Sequence, residues 1–505
     1  MSLSNFDKEE KVIGKKLYDY QHGAIDKIFD RINDSPENYN LLYQLPTGGG
    51  KTVIFSEIAR RYIEKTKNKV LILTHRIELC KQTSNMLTEF EVENKIIDSN
   101  VKEITNEDNF TCFVAMVETL NNRIKEEKVE IHDIGLVIVD EAHYNSFRKL
   151  FIHFEKCFIL GVTATPLSSN INLPMREIYN DLIVGEKISS LIEKGFLAEA
   201  ITYSFNVNLT SLKIGINGDY TVKSSEELYS KNEMQSKLVK AYEQESKGKK
   251  TLIFNNGIQT SRQVYESFKH AGYNVEYIDN TNSREERKNV LEWFKNTPDA
   301  ILSSVGILTT GFDEPSIETI IINRATKSLA LYFQMIGRGS RIMKNKTEFS
   351  IIDLGNNLSR FGLWTSDIDW HLIFKNPNFF LENLMSDEEI ERRFKYVMPE
   401  AIREMFSKSE DFNFNVKEEY EKVTKSGQKS KLVLEKSLVQ HAKICAENSE
   451  DVFDAHILSR ELNDDIEFRI KQYSYCILKS SKNYIKWLEE DYKRQLRVKI
   501  GQRFN

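Results

Sequence analysis

The stretch Asn40-Leu-Leu-Tyr-Gln-Leu45-Pro46-Thr47-Gly48-Gly49-Gly50-Lys51-Thr52-Val53 decides how the chain is read. An apolar, strand-sized run leads into a glycine-rich turn, and a helical pattern opens at Val53. Strand, loop and helix in that order form the frame of a phosphate-binding loop. Glycines let successive backbone amides turn inward on phosphate oxygens, and the helix start adds positive potential. Thr47, Gly48, Gly49, Gly50, Lys51 and Thr52 are therefore the expected nucleotide cradle. Lys51 would neutralise β and γ phosphates, and Thr52 would place its hydroxyl on Mg²⁺. The bland alternative is a glycine-rich turn with a solvated lysine, so the surrounding chain has to decide.

Some ninety residues on, Gly135-Leu-Val-Ile-Val-Asp140-Glu141-Ala-His143 is an apolar run ending in two adjacent acids. A buried central strand presents its C-terminal end to the ligand crevice of a parallel sheet. Asp140 can then hold Mg²⁺, and Glu141 can orient and deprotonate an attacking water. Paired acids alone are often only a solvated turn; behind a phosphate loop that reading weakens.

Outward from these anchors, residues 17–355 alternate β-branched runs with amphipathic stretches. Strands are expected at Asn40–Leu45, Val70–Thr74, Thr111–Met116, Leu136–Val139 and Phe158–Val162, with helices such as 53–65 and 77–90 between them. After a middle region with an expected hairpin at Asn217-Gly218, the pattern restarts. Its runs are Thr251–Phe254, Val275–Ile278, Ala300–Ser303, Thr319–Ile322 and Phe349–Ile352. Strands alternating with helices predict an α/β fold of parallel sheets. Beyond about residue 360, charged helical patterns (387–406, 431–447, 468–499) replace the strands. The expected domains are 1–190, 191–358 and a helical accessory region, 359–505.

Length and composition bound the rest. The chain has 505 residues, 40% hydrophobic and 29% charged, which suits two or three packed domains and not a disordered chain. A net charge of -5 gives no global attraction to a polyanion, although a local groove could still bind one. Five scattered cysteines, never in a C-x-x-C pair, argue against a disulfide framework and a zinc ribbon. The N-terminus lacks an apolar core, and no run approaches membrane length. A soluble, cytoplasmic protein without membrane partners is expected.

With these residues in view, the chain resembles superfamily 2 helicases over most of residues 17–362. Asp140-Glu141-Ala142-His143 and Thr163-Ala164-Thr165-Pro166 are similar to motifs II and III. Leu17-Tyr-Asp-Tyr20-Gln21 resembles the adenine-reading segment, Thr74-His75-Arg76-Ile-Glu78-Leu79 motif Ia, and Met116-Val-Glu-Thr119-Leu120 motif Ib. Leu252-Ile-Phe254 resembles motif IV, Leu308-Thr309-Thr310-Gly311-Phe312-Asp313-Glu314-Pro315 motif V, and Gln334-Met-Ile-Gly337-Arg338-Gly339-Ser340-Arg341 motif VI. His75-Arg76, the Gly-Phe-Asp of motif V and the Gly-Arg-Gly of motif VI are most similar to the XPB, UvsW and RadD grouping and the restriction-enzyme motors. Tyr18 departs from the family's usual Arg, and the cysteine cluster of some RadD-like C-terminal regions is absent.

The resemblance implies two tandem RecA-like domains with a split ATP site using ATP and Mg²⁺. Gln334, Arg338 and Arg341 would face Lys51, Asp140 and Glu141 across a cleft. Gln21, Gly311 and Asp313 would complete the nucleotide pocket. His75, Arg76, Thr119, Thr309 and Thr310 would contact nucleic acid. It further implies a DNA helicase or translocase, with a role in DNA repair or recombination. A restriction or phage-defence motor, and an RNA helicase or ATP-gated clamp, remain open. The only (D/E)-x-K match after residue 360 is Asp491-Tyr492-Lys493, inside a helical pattern, so no intrinsic nuclease is expected. From Arg469 to Arg503 ten basic residues stand against three acidic ones, interleaved with Tyr473, Tyr475, Tyr484, Trp487 and Tyr492. That mixture fits either nucleic-acid contact or an amphipathic helix packed on its neighbours, and this region could also dock protein partners.

Overall fold

A computed structural model describes residues 16–504 apart from 37, 102–109, 130–131, 171, 310, 393–397, 410–411, 413 and 478–481. Two compact units divide the chain, residues 1–385 and 386–505.

The first unit holds two all-parallel sheets. The seven-stranded sheet contains β1 (Asn40–Gln44), β2 (Lys69–Thr74), β3 (Asn94–Ile97), β4 (Cys112–Met116), β5 (Ile134–Asp140), β6 (Phe158–Thr163) and β7 (Asp181–Val184). Its spatial order is β3-β4-β2-β5-β6-β1-β7. The six-stranded sheet contains β8 (Glu199–Ser204), β9 (Thr251–Asn255), β10 (Val275–Ile278), β11 (Ile301–Val305), β12 (Thr319–Asn323) and β13 (Glu348–Asp353), in the order β10-β11-β9-β12-β13-β8. Central strands such as β6, β9 and β12 are buried at every position, as parallel strands covered on both faces must be. These are two RecA-like layers of the doubly wound kind. Register places the functional ends together: Gln44 pairs with Thr163, and Asp140 with Val162. β1, β6 and β5 therefore deliver their last residues to one rim.

The strands absent from the sequence reading are β3, β7 and β8. All three are edge strands with half-exposed positions, so none forms an apolar run. The expected hairpin at Asn217-Gly218 is a single bridge, Ile214 to Tyr220, around Gly218 in the left-handed region. The turn is pinned by Asp219, whose carboxylate accepts from Lys327 N (2.8 Å) and Thr326 Oγ1 (2.7 Å). The docked side chain, and not strand pairing, holds this segment. Short helices over residues 357–382 follow β13 and add Phe361, Trp364 and Ile373 to the core under the second sheet.

The second unit is helical with its own core, including Val433, Leu438, Ala442, Ile466, Ile470, Tyr492 and Leu496. The helical pattern over 387–406 breaks because Pro399 caps a new helix, Glu400–Met405. The 468–499 pattern divides between helices Asn463–Cys476 and Lys482–Phe504. A polar network is sealed inside this bundle. Arg469 makes two bonds to Asp465 (2.7 and 2.9 Å), and His441 Nε2 lies 2.9 Å from the same carboxylate. The Tyr492 hydroxyl stands 3.0 Å from His441 Nδ1 and 2.7 Å from Ser437 Oγ. Ser, His and Asp so arranged suggest hydrolytic chemistry, but all are buried and Tyr492 separates serine from imidazole. The network's role is structural. No helix among the described residues is long and apolar enough to cross a membrane.

Candidate active site

β1 feeds directly into the phosphate loop. Gly48 (φ 90°) and Gly50 (φ 84°) take left-handed backbone that a side chain resists, and a Cβ on Gly50 would lie 2.5 Å from Gln21 Nε2. Helix α2 (Lys51–Thr66) starts at Gly50 without a side-chain cap and without an acid in its first turn. Its leading amides are thus left for an anion. Lys51 Nζ rests 3.3 Å from the Leu45 carbonyl, and the Thr47 hydroxyl is buried without a partner.

Helix α1 (Asp19–Asp34) brings the upstream segment alongside. The Tyr18 amide donates to Gln21 Oε1 (3.0 Å), and the Tyr20 hydroxyl donates to the Gly49 carbonyl (2.8 Å). Burial pushes the Tyr20 phenol up to about 12, so it remains a donor. Tyr18, standing in place of arginine, packs at a tilt with its ring centre 4.3 Å from that of Phe196 in the segment joining the two sheets. Tyr20 lies in the segment singled out from sequence for adenine, but Phe196 was not assigned to the site. An aromatic flanking the connecting segment carries no periodic signal.

At the end of β5, Glu141 adopts φ 53°, a left-handed conformation that a non-glycine residue holds only under constraint. Its amide donates to Asp140 Oδ1 (3.0 Å). Burial, then the adjacent Glu141 charge, raise the Asp140 carboxyl to about 7 against the opposing pull of Lys51. Burial also acts upward on Glu141, but Lys51 above all, then His143 and His75, hold it below its usual range. Glu141 Oε2 is buried with no hydrogen bond. A carboxylate raised by burial and a second with an orphaned oxygen fit a divalent cation and an ordered water. Thr52 and Asp140 would hold that cation. No cluster of three or more His, Cys, Asp or Glu suited to a metal occurs among the described residues.

His143 links three motifs. Its Nδ1 lies 3.0 Å from Thr163 Oγ1, which donates to the Thr165 carbonyl (3.0 Å). Its Nε2 lies 3.5 Å from Gln334 Nε2. The chain is satisfied if His143 carries its proton on Nδ1, and burial depresses its pKa accordingly.

Across the cleft, helix Leu329–Ile336 and the turn after it lie against the phosphate loop. A Cβ on Gly337 would fall 2.5 Å from the Thr47 side chain, and one on Gly48 2.9 Å from Ser340 Oγ and from Leu197. Arg338 binds the Thr309 carbonyl through Nε and Nη2 (3.1 and 2.8 Å) and the Phe312 carbonyl through Nη1 (2.6 Å). Arg341 donates to the Gly337 carbonyl (2.7 Å) and pairs with Asp313 (3.0 Å). Burial disfavours the cations of both Lys51 and Arg338. Two desolvated cations facing one crevice describe a place for phosphate.

The remaining residues fall elsewhere. Gly311 sits against Glu78 and Leu79 of helix α3 (Ile77–Glu89). Thr309 is buried, its hydroxyl given to the Gly306 carbonyl (3.0 Å). Arg76 reaches the carbonyls of Ile307 (2.9 Å) and Gly306 (3.2 Å), and the His75 ring is buried against Tyr144. Thr119 is half-buried in helix α4 (Val117–Lys125), and Thr310 lies outside the described residues. Of the aromatics in the C-terminal segment, Tyr473 and Tyr492 are core, as is Arg469, while Trp487 is 54% exposed.

A phosphate loop and paired acids on one sheet, closed by an arginine-bearing turn from a second, define the two-lobed core of a helicase-type nucleotide site. Residues 14–168 match the family described as type III restriction enzyme, res subunit, and residues 230–343 match the helicase conserved C-terminal domain. The chain thus carries the two conserved domains of a superfamily 2 helicase and fits that superfamily, with restriction-enzyme motors among its relatives. It is 30% identical over 357 residues to the putative ATP-dependent helicase IRC3 of Saccharomyces cerevisiae, covering 67% of this chain and 51% of that protein. A type I restriction enzyme EcoAI endonuclease subunit of Escherichia coli is 24% identical, covering 67% of this chain and 46% of its own. The ATP-dependent DNA helicase uvsW of enterobacteria phage T4 is 21% identical, covering 64% and 67%. The chain thus spans about half the length of the yeast and EcoAI relatives. Among solved structures, the type ISP restriction-modification enzyme LlaBIII shares the fold, with a TM-score of 0.53 at 15% identity over 99% of this chain and 43% of that one.

Proposed function

We propose that this protein is an ATP-dependent helicase or translocase acting on DNA, with hydrolysis at the cleft between its two sheets coupled to movement along a strand. The observation carrying this reading is the seam itself: Gly337 seated on Thr47, with Arg338 and Arg341 in the same cleft as Lys51 and Glu141. Lys51 and the first amides of α2 hold the triphosphate, and Thr52 and Asp140 hold Mg²⁺. Bound Mg²⁺ would supply charge neutralisation at the phosphoryl oxygens. Glu141 orients the attacking water and takes its proton. Arg338 and Arg341 exchange backbone carbonyls and Asp313 for developing charge on the transferred group. Such arginines contribute about 10³–10⁵ in rate. Because they belong to the second sheet, hydrolysis depends on the lobes being closed, and product release on their opening.

The track is assigned to DNA because the phage T4 relative is a DNA helicase and other relatives are restriction enzymes. A second reading, the motor of a restriction or phage-defence assembly, draws on the EcoAI and LlaBIII similarities. ATPase assays without nucleic acid and with single-stranded, duplex and forked DNA and RNA test both. At least one DNA form is expected to stimulate turnover more than RNA does. Lys51→Ala and Glu141→Gln are each expected to abolish it; near-normal turnover in either would refute the assigned site. Divalent-metal-dependent cleavage of DNA by the purified chain would instead favour a nuclease-bearing assembly.

A further inference from the structure

Thr74 ends β2, and His75-Arg76 follow it where nucleic-acid contacts were expected; in the structure all three side chains are engaged within the protein. Thr74 Oγ1 donates to the Arg76 carbonyl (3.2 Å), stiffening the turn. Arg76 crosses to the second lobe and binds the Gly306 and Ile307 carbonyls just after β11. His75 turns toward the first lobe. Its ring lies 4.3 Å from that of Tyr144, which lies 4.3 Å from that of His143. His143 Nδ1 is 3.4 Å from Glu141 Oε2, and Gln334 touches both His143 and the Tyr144 hydroxyl. A continuous ladder of rings therefore runs from the end of β2 to the water-orienting carboxylate and the glutamine opposite it.

Three polar atoms in this region are buried without a hydrogen bond: both ring nitrogens of His75 and Glu141 Oε2. A buried polar atom without a partner is unfavourable, so any arrangement supplying partners is favoured. Burial holds the His75 imidazole neutral, at about 4, with the Glu141 charge as the main opposing influence. A neutral ring packed among aromatics does not grip a phosphate. It can set where its neighbours stand.

We propose that His75 and Tyr144 are positioning residues. They carry the placement of the β2–α3 turn, tied to the second lobe by Arg76, onto Glu141 and Gln334. Hydrolysis is thereby linked to how the lobes lie on the strand. This rests on the ATP-driven motor reading above and names the residues that couple track to turnover.

The test uses the full chain and a DNA that stimulates the parent, with kcat, the ATP KM and DNA affinity by fluorescence anisotropy measured for each variant. His75→Ala and Tyr144→Ala are expected to bind DNA within twofold of the parent with an unchanged KM. Their stimulated kcat should fall at least tenfold. Tyr144→Phe, which keeps the ring, should recover most of that loss, and His75→Gln should give a folded second variant at the same position. Full stimulation in His75→Ala or His75→Gln overturns the proposal. So does a tenfold loss of DNA affinity with normal kcat at saturation, which would make His75 a direct contact. A parent that no nucleic acid stimulates overturns the motor reading, and this proposal with it.

Discussion

At the residue scale, the seam between the lobes turns on Gly337. Its backbone needs no left-handed freedom; what it needs is the absence of a side chain, because Thr47 occupies that space. Gly337→Ala is therefore expected to cut ATP turnover at least tenfold while shifting the thermal midpoint little, since the strain falls on closure and not on either core. Unaltered steady-state turnover would show that the lobes need not approach so closely. Much of this site was legible from sequence, because phosphate loops, strand-end acids and motif arginines are local patterns with fixed spacing. Tyr144, Phe196 and the true surroundings of His75 were not. Their roles come from stacking between segments far apart in the chain, which no local pattern encodes. Motif position placed His75, Arg76 and Thr309 toward nucleic acid; in the structure Arg76 bonds to the Gly306 and Ile307 carbonyls across the seam, Thr309 bonds within its own loop, and His75 packs on Tyr144.

Elements were read best where they are most buried. Central strands produce continuous β-branched runs, whereas edge strands β3, β7 and β8 mix exposed and buried positions and lose the signal. In the helical unit, periodicity marked the helices but not what lies between them. Arg469, counted in sequence among the basic residues, is 1% exposed and paired with Asp465. Removing one partner of such a pair strands a buried charge. Arg469→Ala should destabilise this unit by about 3–5 kcal/mol, read from denaturant unfolding; a loss near zero would mean the network is dispensable. Acidity should act here too. Burial, together with Arg469, depresses His441 to about 4 against the pull of Asp465, whereas the unfolded chain titrates near 6.5. The unfolded state then binds the extra proton first, so stability is full above that window and declines as pH falls from about 6.5 to about 4. A thermal midpoint flat across this range would contradict a neutral His441.

At the scale of the whole molecule, every residue assigned to the ATP site lies in the first unit, which ends at Met385. The chain cut after that residue is expected to fold, with a cooperative thermal transition, and to retain ATP hydrolysis. Failure to fold would show that the helical unit supports the motor. A cut near residue 465 is uninformative about nucleic-acid binding, because it removes Ile466, Ile470, Tyr492 and Leu496 from the helical core. Substitution of outward cations such as Arg494 is the sounder probe.

The loop from Gly306 to Phe312 receives Arg76 from one lobe and Arg338 from the other, and all four acceptors are main-chain oxygens. Main-chain recognition is indifferent to side-chain identity. One inserted or deleted residue would shift every carbonyl out of step with both arginines, and Gly306 and Gly311, at φ 68° and 73°, set the path that aims them. Loop length and these two glycines therefore fix the grip more than the other side chains do.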